Sequence, residues 1–485
     1  MSCAKTHRSV RGRPMRLLAL CSLLSFPLSS LAGEWIISPS VAIDQVYTDN
    51  ALLSSDNEEN ESVTRVRPGI SIYREGGRAN LDFNYSPEYR HYWEETRDNE
   101  TVHLLRANGD VELVENHFFV DAWATADQTR LSSSRSSPDG LTGSTENIDY
   151  HTIGLSPYYT TRFGNTSVFE ARYSADKVDY DDEGEVDSTS QELDLILGSG
   201  TYSVAQAWEI SASHTIEDFS GTGTSEDNKI SIFRGEFIQQ ITRRWALAFA
   251  AGYEDFELIL GDDVEGELWT VGFVFTPGSR TRLALGGGER AFGDDYYLDF
   301  EHRSGRTVWT INYKRDYISA RDEATSTTLF QRQDAFGNLV RDAVLDNPPP
   351  VTVTGVSTLS AEYFESDRVT AAFTFRTQRT RAVLRAGLVK RDYELAGQDT
   401  RDVNVTASFF RLISRRFSGV SRLLWTDHQE EMQDYEEWSL SLGVNYLLGT
   451  NTTITTNVTH LERDAEIDSG TYDENRVSIG FLTRL

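Results

Sequence analysis

The feature that most constrains the fold is an alternation of apolar and polar side chains with a period of two, which runs from about Gly33 to the end of the chain. In residues 438–446, large apolar side chains occupy every even position, and small or polar side chains occupy every odd position. Period-two alternation puts the two sets on opposite faces of a β-strand. Almost no segment has the period of a helix, so the sequence predicts an all-β chain whose strands have one apolar and one polar face.

The first 32 residues have the layout of a secretory signal peptide. Three arginines precede an apolar run over residues 17–28, and the small residues at 30–32 form a cleavage site before Gly33. No linker or change in composition divides residues 33–485, which predicts a single exported unit. Exported strands with one apolar face predict a transmembrane antiparallel β-barrel in the bacterial outer membrane. The mean hydropathy of -0.44 agrees, because a barrel has a polar lumen and polar loops.

Two kinds of connection separate the strand-like runs. Short, often basic turns alternate with longer, acidic loops, an asymmetry typical of outer-membrane barrels, whose short turns face the periplasm. Counting on this basis predicts a large barrel of about 22 strands, an even number. The short connections are 75–78, 162–165, 242–245, 277–280, 303–306, 414–416 and 448–451, and the long acidic ones include 56–61, 181–187, 430–437 and 464–474.

Charged side chains in the middle of strands are predicted to face the lumen. A charge on the lipid face would cost about 2–4 kcal/mol at the bilayer midplane. The longest irregular stretch, residues 320–365, is predicted to be either a surface loop or a loop folded into the lumen. Without such a loop, a barrel this wide would have an open lumen. The predicted lumen-lining residues are Glu170, Arg172, Asp176, Lys314, Asp316, Arg385 and Arg391.

Prolines and aromatic residues give two further expectations. Four prolines inside proposed strands are interpreted as bulges or strand starts, because proline removes a ladder hydrogen bond. Aromatic residues near the loop-side strand ends are interpreted as an interfacial girdle. The prolines are Pro39, Pro68, Pro87 and Pro157, and the aromatics are Tyr89, Tyr92, Trp93, Tyr180, Tyr253, Phe256, Tyr296, Tyr297, Tyr317 and Tyr393.

Several segments, in their order and spacing, carry a family resemblance. They are residues 38–41, 48–50, 63–70, 81–85, 288–293, 298–303 and 309–313. Together they resemble the outer-membrane β-barrel family associated with PEP-CTERM and exopolysaccharide gene clusters. The resemblance implies a barrel linked to the production or export of surface polysaccharide, and it supplies no catalytic residues.

No segment has the pattern of a catalytic, metal or cofactor site, so we expect no enzyme and no cofactor. The glycines at 286–288 lack the following lysine and helix of a phosphate loop, and close packing of a strand is the preferred interpretation. The acidic run at 181–187 is interpreted as a solvated loop, with calcium binding as the alternative. A barrel enzyme that assembles Asp, His and Ser from different strands is a third possibility.

Charge narrows the choice of partners. Both cysteines and five basic residues lie in residues 1–32, so the exported part has 41 basic against 75 acidic residues, a net charge of -34. This balance argues against nucleic acid as a partner. The expected partners are outer-membrane lipid and lipopolysaccharide, the barrel-assembly machinery, and polysaccharide with its export components.

Two functions fit these features. The leading hypothesis is a porin-like channel that supports the export or passage of exopolysaccharide or another hydrophilic saccharide. The alternative is a non-conducting structural or binding barrel that presents acidic loops at the cell surface. A gated siderophore transporter and an autotransporter are disfavoured, because strands begin directly after the signal with no plug domain or passenger before them.

Overall fold

A computed structural model gives the positions of most of the chain. The described residues are 33–130, 137, 140–143, 147–181, 186–199, 205–220, 227–326, 361–393, 399–430, 434–466 and 470–485. The predicted signal peptide and the central part of the predicted long loop, with its three consecutive prolines, lie outside them.

The described chain is a single antiparallel sheet of 22 strands that closes on itself. Each strand pairs with its sequence neighbours, and the first pairs with the last from Ser40↔Arg484 to Thr48↔Arg476. The prediction of an all-β barrel with an even number of strands is therefore confirmed. The strands are β1 Gly33–Thr48, β2 Glu61–Gly76, β3 Ala79–Tyr92, β4 Glu100–Val114, β5 Phe118–Arg130, β6 Asn147–Phe163, β7 Ser167–Tyr180, β8 Ser188–Ser199, β9 Gln206–Phe219, β10 Asn228–Gln240, β11 Trp245–Glu257, β12 Val264–Gly278, β13 Thr281–Arg290, β14 Gly293–Arg303, β15 Thr307–Ser319, β16 Tyr363–Arg376, β17 Thr380–Tyr393, β18 Thr400–Leu412, β19 Phe417–Gln429, β20 Tyr435–Leu447, β21 Thr452–Ala465 and β22 Tyr472–Arg484; one short helix, α1, spans Ala320–Ser326.

The two faces of the barrel wall differ as the alternation predicts. In β20, Leu442 is 53% exposed on the outer face, while the neighbouring Ser441 faces inward and contacts Thr459 of β21 through their hydroxyls at 2.9 Å. In β22, Val477 and Ile479 are exposed on the outer face. Large apolar side chains on every second position of many strands form a belt around the barrel, as lipid contact requires.

The aromatic girdle is only partly present. Tyr89 and Tyr253 are exposed on the outer face, as predicted for the membrane interface. Tyr92, Phe256 and Tyr317 are instead buried, at 1%, 2% and 6% exposure. Period-two alternation turns some of the aromatic residues near the loop-side ends inward, where they pack into apolar clusters that position along the sequence alone does not reveal.

The prolines lie within strands and do not create bulges. Pairing between β2 and β3 stops at Val66↔Tyr89 and resumes at Ile70↔Tyr85 with an unchanged register, on either side of Pro68 and the opposing Pro87. Pairing of β6 with β7 likewise omits Pro157 without a register shift. The prediction of bulges or strand starts is therefore wrong. Pro68, Pro87 and Pro157 leave a gap in one ladder of their strands, and each strand continues because its other ladder is intact at that point. Pro39 lies inside β1 and is paired with Ile70 of β2.

The three consecutive glycines of β13 provide space for aromatic rings. A Cβ on Gly286 would lie 2.6 Å from Cε1 of Tyr297, and one on Gly287 would lie 2.8 Å from Cδ1 of Tyr296. The two tyrosines, adjacent in β14, cover opposite faces of β13. Close packing of a strand, rather than a phosphate loop, therefore explains this glycine run.

The two ends of the barrel differ in the length of their connections. All seven predicted short connections lie at one end, called here the turn end, and the predicted long connections lie at the other, the loop end. One connection departs from the predicted alternation, since only Ala291 and Phe292 join β13 to β14 at the loop end. The rim of the barrel is therefore low at this hairpin.

The assignment of faces can be tested with adjacent residues of β20. We expect Leu442→Arg to lower the free energy of unfolding by about 2–4 kcal/mol, because it puts a charge into lipid near mid-strand. Ser441→Arg, one position away and facing the lumen, should cost much less. Denaturant unfolding in lipid vesicles measures both, and equal losses would contradict the assignment.

Candidate functional site

A short helix follows β15 at the low part of the rim. α1 is preceded by Ser319, whose hydroxyl accepts a hydrogen bond from the backbone N–H of Asp322 at 3.1 Å. The Asp322 carboxylate in turn accepts from the backbone N–H of Ser319 at 3.4 Å. This reciprocal pair is a capping box, with Asp in the position usually held by Glu, and it explains why a helix starts at Ala320.

The end of the β15–β16 hairpin folds inward above the low hairpin. Pairing of β14 with β15 ends at Leu298↔Tyr313, while β15 and β16 remain paired to Ser319↔Tyr363. The Tyr317 ring stacks on Phe292 of the low hairpin, with centroids 5.7 Å apart. Tyr317 and Tyr363 then pack with Ile230 of β10 and Phe256 of β11, and this cluster fixes the folded-in position.

α1 carries one anchor to each side of the lumen. Arg321 pairs with Asp176 of β7 and donates from Nε to Ser188 Oγ of β8 at 3.0 Å. Glu323 accepts from Arg391 of β17 at 2.7 and 2.9 Å. Residues two apart on a helix point in nearly opposite directions, so seven residues suffice for two anchors. We call residues 320–326 with their anchors the strap.

The returning chain is anchored to β9 and β10, which follow β7 and β8 along the wall. The Ala361 carbonyl accepts from Asn228 Nδ2 of β10 at 3.0 Å, and the Tyr363 hydroxyl donates to Glu217 of β9 at 3.0 Å. Five strands, β11–β15, lie between β10 and β16 along the wall. The two ends of the predicted long loop therefore hold a cross-connection inside the rim, although residues 327–360 between them lie outside the described part.

A buried network supports the Glu323 anchor. Arg391, 1% exposed, also donates to Asp402 of β18 at 2.5 Å, and Asp402 contacts Nδ1 of His428 at 2.6 Å. Arg368 of β16 donates to Glu323 at 2.7 Å. Each buried charge therefore has at least one opposite charge within hydrogen-bond distance, which buried ions require.

Burial also changes the pKa of one carboxyl group on the strap, that of Asp322. Desolvation raises the pKa of the Asp322 carboxyl, and the neighbouring Arg321 guanidinium partly opposes that rise. Asp322 therefore keeps its proton to a higher pH than an exposed aspartate does. Because Asp322 binds the backbone N–H of Ser319, its titration acts on the cap of α1.

Six of the seven predicted lumen residues lie in separate ion-paired groups. Asp176 and Arg391 are anchor points of the strap. The others occupy different parts of the wall, and their role in lining a conducting lumen stays a prediction. Glu170 lies 3.0 Å from Arg172, which reaches Asp121 at 2.8 Å; Lys314 lies 2.6 Å from Asp316, which is 3.7 Å from Arg290; and Arg385 lies on the face opposite the exposed Leu384.

A cavity of about 610 Å³ opens along the wall formed by β2–β7. Its lining combines the indole of Trp123 with carboxylates and amides. Asp110 and Asp121 face each other across β4 and β5, and like charges in this position repel. Asn80 donates to Asp110 at 2.9 Å and Arg172 binds Asp121, which offsets that repulsion.

Two kinds of site are not found among the residues with described positions. No group of three or more His, Cys, Asp or Glu side chains there is placed to hold a metal ion. Within the same residues, no helix is long and apolar enough to cross a membrane.

Comparisons with known proteins agree on the architecture. The family described as "Putative beta-barrel porin 2" matches residues 27–194, about a third of the chain. No curated protein matches the sequence. Among solved structures, the FrpB iron transporter of Neisseria meningitidis is similar with a TM-score of 0.53 at 10% identity, over 92% of this chain and 82% of that one.

Two further receptors are similar to the same degree. The siderophore receptor PirA of Acinetobacter baumannii has a TM-score of 0.51 at 7% identity, over 93% of this chain and 80% of that one. The ferric-catecholate import receptor Fiu of E. coli K12 has a TM-score of 0.51 at 9% identity, over 92% and 81%. Identities this low speak for the fold alone.

The chain is a porin-like β-barrel of the bacterial outer membrane. Its apolar outer belt, polar interior and closed sheet are the properties that a lipid-spanning barrel needs. The predicted localisation is therefore confirmed. The finer prediction of a link to exopolysaccharide is a matter of function and is taken up below.

The strap was not predicted from the sequence, although one local signal for it exists. Ser319 and Asp322 match the capping-box pattern, which marks a helix start. The charges of Arg321 and Glu323 do not indicate by themselves which residues these side chains will bind. Their partners are more than 40 residues away in the chain and become neighbours only when the barrel closes.

The strength of the strap can be measured with a double-mutant cycle. We expect Glu323→Ala and Arg391→Ala to show a coupling of about 1–3 kcal/mol in the free energy of unfolding, because both side chains are buried and hydrogen-bonded. The control cycle, Lys314→Ala with Asp316→Ala, removes a more exposed lumen pair and should couple by less than about 1 kcal/mol. No coupling between Glu323 and Arg391 would contradict the anchor.

Proposed function

We propose that this barrel is a channel for exopolysaccharide or another hydrophilic saccharide, and that the strap narrows its lumen at the loop end. The observation that carries the proposal is the anchoring of α1 to β7 and β8 on one side and β17 on the other. A cross-connection at that position would narrow the path through the barrel. The barrel would act by passage rather than by catalysis.

The cavity along β2–β7 supports a saccharide as the transported class, because its lining is mixed. Sugars present hydroxyl groups together with apolar faces of C–H groups. Trp123 offers an amphipathic aromatic surface, and Asp82, Asn108 and Asp110 offer acceptors and donors beside it. The resemblance to barrels of exopolysaccharide gene clusters points in the same direction. The proposed partners are lipopolysaccharide around the barrel, the assembly machinery that inserts it, and components of polysaccharide export.

The strap also favours the second candidate, a non-conducting barrel. The two described ends of the predicted long loop are fixed inside the rim, where they occupy part of the opening. In that case the barrel would present its acidic loops at the cell surface as a structural or binding protein. Conductance separates the two candidates.

The decisive measurement is single-channel conductance in planar bilayers. We expect steady openings from the wild-type protein, and larger openings after Arg321→Ala with Glu323→Ala, because both anchors of the strap are lost. Deletion of residues 325–350 should raise the conductance if that loop is a plug, and no change would count against a plug. A silent wild type that opens only after the deletion would favour the non-conducting candidate.

A matched control separates strap release from loss of charge. Lys229→Ala with Glu257→Ala removes an ion pair of 3.2 Å on exposed side chains of β10 and β11, away from the strap. It should leave the conductance unchanged. An equal increase in this control would mean that the effect does not come from the strap.

Passage of saccharide can be tested separately from ion flow. Proteoliposomes loaded with fluorescent maltooligosaccharides should release short oligomers, and the release should be faster after Arg321→Ala with Glu323→Ala, because both anchors of the strap are lost. Liposomes without protein give the background. Ion conductance without any release of oligosaccharide would reject saccharide as the transported class.

A further inference from the structure

One tryptophan differs from all the others in the side of the barrel that it faces. The chain has nine tryptophans, and eight of them lie on the outer side, where the membrane interface favours them. Trp123 of β5 instead pairs with Gly154 of β6. On either side of Gly154, Ile153 and Leu155 are exposed to lipid, so the Trp123–Gly154 pair faces the lumen. The membrane interface therefore does not explain Trp123.

The indole of Trp123 occupies space that a glycine leaves free. A Cβ on Gly154 would collide with Cε2 and Cζ2 of the indole, so any side chain at this position would displace the ring. The ring lies against the wall and lines the cavity along β2–β7. Its position is thus set by the wall itself, and part of its surface is presented to the cavity.

A second observation, independent of the tryptophan, points to a ligand in the same cavity. Thr125 follows Trp123 by two positions on the same face, lines the cavity and is only 4% exposed. Its Oγ1 is buried and has no hydrogen-bond partner among the residues with described positions. A buried hydroxyl without a partner costs free energy, and a hydroxyl of a ligand in the cavity would supply the missing hydrogen bond.

The cavity follows a row of paired residues across the wall. Tyr73 of β2, which also lines the cavity, pairs with Asp82 of β3, and Asp82 pairs with Asn108 of β4. Asn108 pairs with Trp123, so three strand spacings, about 14 Å, separate Tyr73 from Trp123. Two strands further on, the row reaches Asp176, where the strap is anchored.

This row rises from the turn end of the barrel toward the strap. Strands of a barrel are tilted, so a row perpendicular to them runs diagonally along the inner wall. Tyr73 lies close to Gly76, which ends β2 at the turn end. Asp176 lies close to Tyr180, which ends β7 at the loop end. A chain molecule that lies along the row would therefore contact both aromatic rings on its way to the strap.

The groups that line the cavity indicate the chemistry of the ligand. Saccharides combine apolar C–H faces, which pack on aromatic rings, with hydroxyls that donate to carboxylates and amides. Four aspartates are part of the lining, and they repel acidic ligands. Two nearby arginines already bind aspartates of this lining, Arg172 with Asp121 and Arg321 with Asp176. An uncharged saccharide therefore fits the cavity better than an acidic one.

We propose that Trp123, Thr125 and Tyr73 form a binding subsite for an uncharged oligosaccharide, which lies along the row toward the strap. One sugar packs on Trp123 and hydrogen-bonds to the Thr125 hydroxyl, and a more distant sugar of the same chain packs on Tyr73. The inference rests on the proposed saccharide channel. It adds to that proposal the residues that hold the cargo and the absence of charge on the cargo.

The test is equilibrium binding to the full-length protein in detergent, measured by titration calorimetry. The uncharged probes are maltose, cellobiose, maltohexaose and cellohexaose, and the acidic probe is an oligogalacturonate of similar length. We expect a hexasaccharide to bind more tightly than the oligogalacturonate, and Trp123→Ala to weaken its binding roughly tenfold. Wild type that binds none of the uncharged probes, or binds the acidic probe most tightly, would overturn the subsite.

The other two residues have different expected signatures. Tyr73→Ala should weaken the hexasaccharide and leave the disaccharide unchanged, because a disaccharide at Trp123 does not reach a ring about 14 Å away. Thr125→Val keeps the shape and removes the hydroxyl, so it should weaken both lengths severalfold. It should not lower the free energy of unfolding, since this hydroxyl has no partner in the free protein. Equal losses for both lengths in Tyr73→Ala would contradict the arrangement along the row.

The matched control is another aromatic ring that covers a glycine on the lumen face. Tyr297 of β14 lies over Gly286 and does not line the cavity, so Tyr297→Ala should leave binding nearly unchanged. Equal losses in Trp123→Ala and Tyr297→Ala would reject the subsite. Heat-modifiable mobility on a gel verifies folding. If Trp123→Ala does not fold, Trp123→Phe, which keeps a smaller ring, should also bind more weakly than wild type.

The subsite and the channel can fail independently, because binding in detergent needs no open pore. A barrel that is silent in bilayers but binds the hexasaccharide through Trp123 retains the subsite without the channel. A barrel that conducts ions but binds no uncharged probe retains a channel and loses the subsite.

Discussion

Hydrogen bonding of the backbone within lipid is the constraint on which the rest of the structure depends. Hydrocarbon offers no partner to an N–H or C=O group, so a spanning sheet must pair its first strand with its last, as β1 and β22 do here. Closure gives every strand one face toward lipid and one toward the lumen. Polar and charged side chains, which lipid excludes, are thereby collected inside. The strap, for example, is held by charged side chains that closure has brought together.

The strap shows how such charges can be organised without an additional domain. Its helix is only seven residues long and is held by one cation and one anion. Asp176 and Arg391, which alternation assigns to the lumen, serve as its attachment points. Their burial makes each pair hard to break singly, because the partner left behind would remain a charge without compensation. A polar lumen is thus also a set of anchor points.

Much of the architecture could be predicted from the sequence, because a period of two needs only local information. The strand number, the ends at which turns and loops lie, and the lipid face of β20 all follow from it. The strap could not be predicted in the same way, since Arg321 meets Asp176 from 145 residues away. Tyr92 and Phe256 face inward, contrary to the prediction, because a shift of one residue along a strand moves a side chain from the lipid face to the lumen face. Partnerships across the barrel depend on closure, which no local pattern encodes.

The two-residue connection between β13 and β14 has an architectural consequence. When strands pair only with their sequence neighbours, all connections run along the rim and no chain segment needs to cross the lumen. The β13–β14 hairpin is short, and the longer β15–β16 hairpin beside it bends inward over Phe292. The helix α1 at the end of β15 then reaches across the opening. A difference in length between neighbouring hairpins is therefore sufficient to place a cross-connection inside a barrel without any inserted domain.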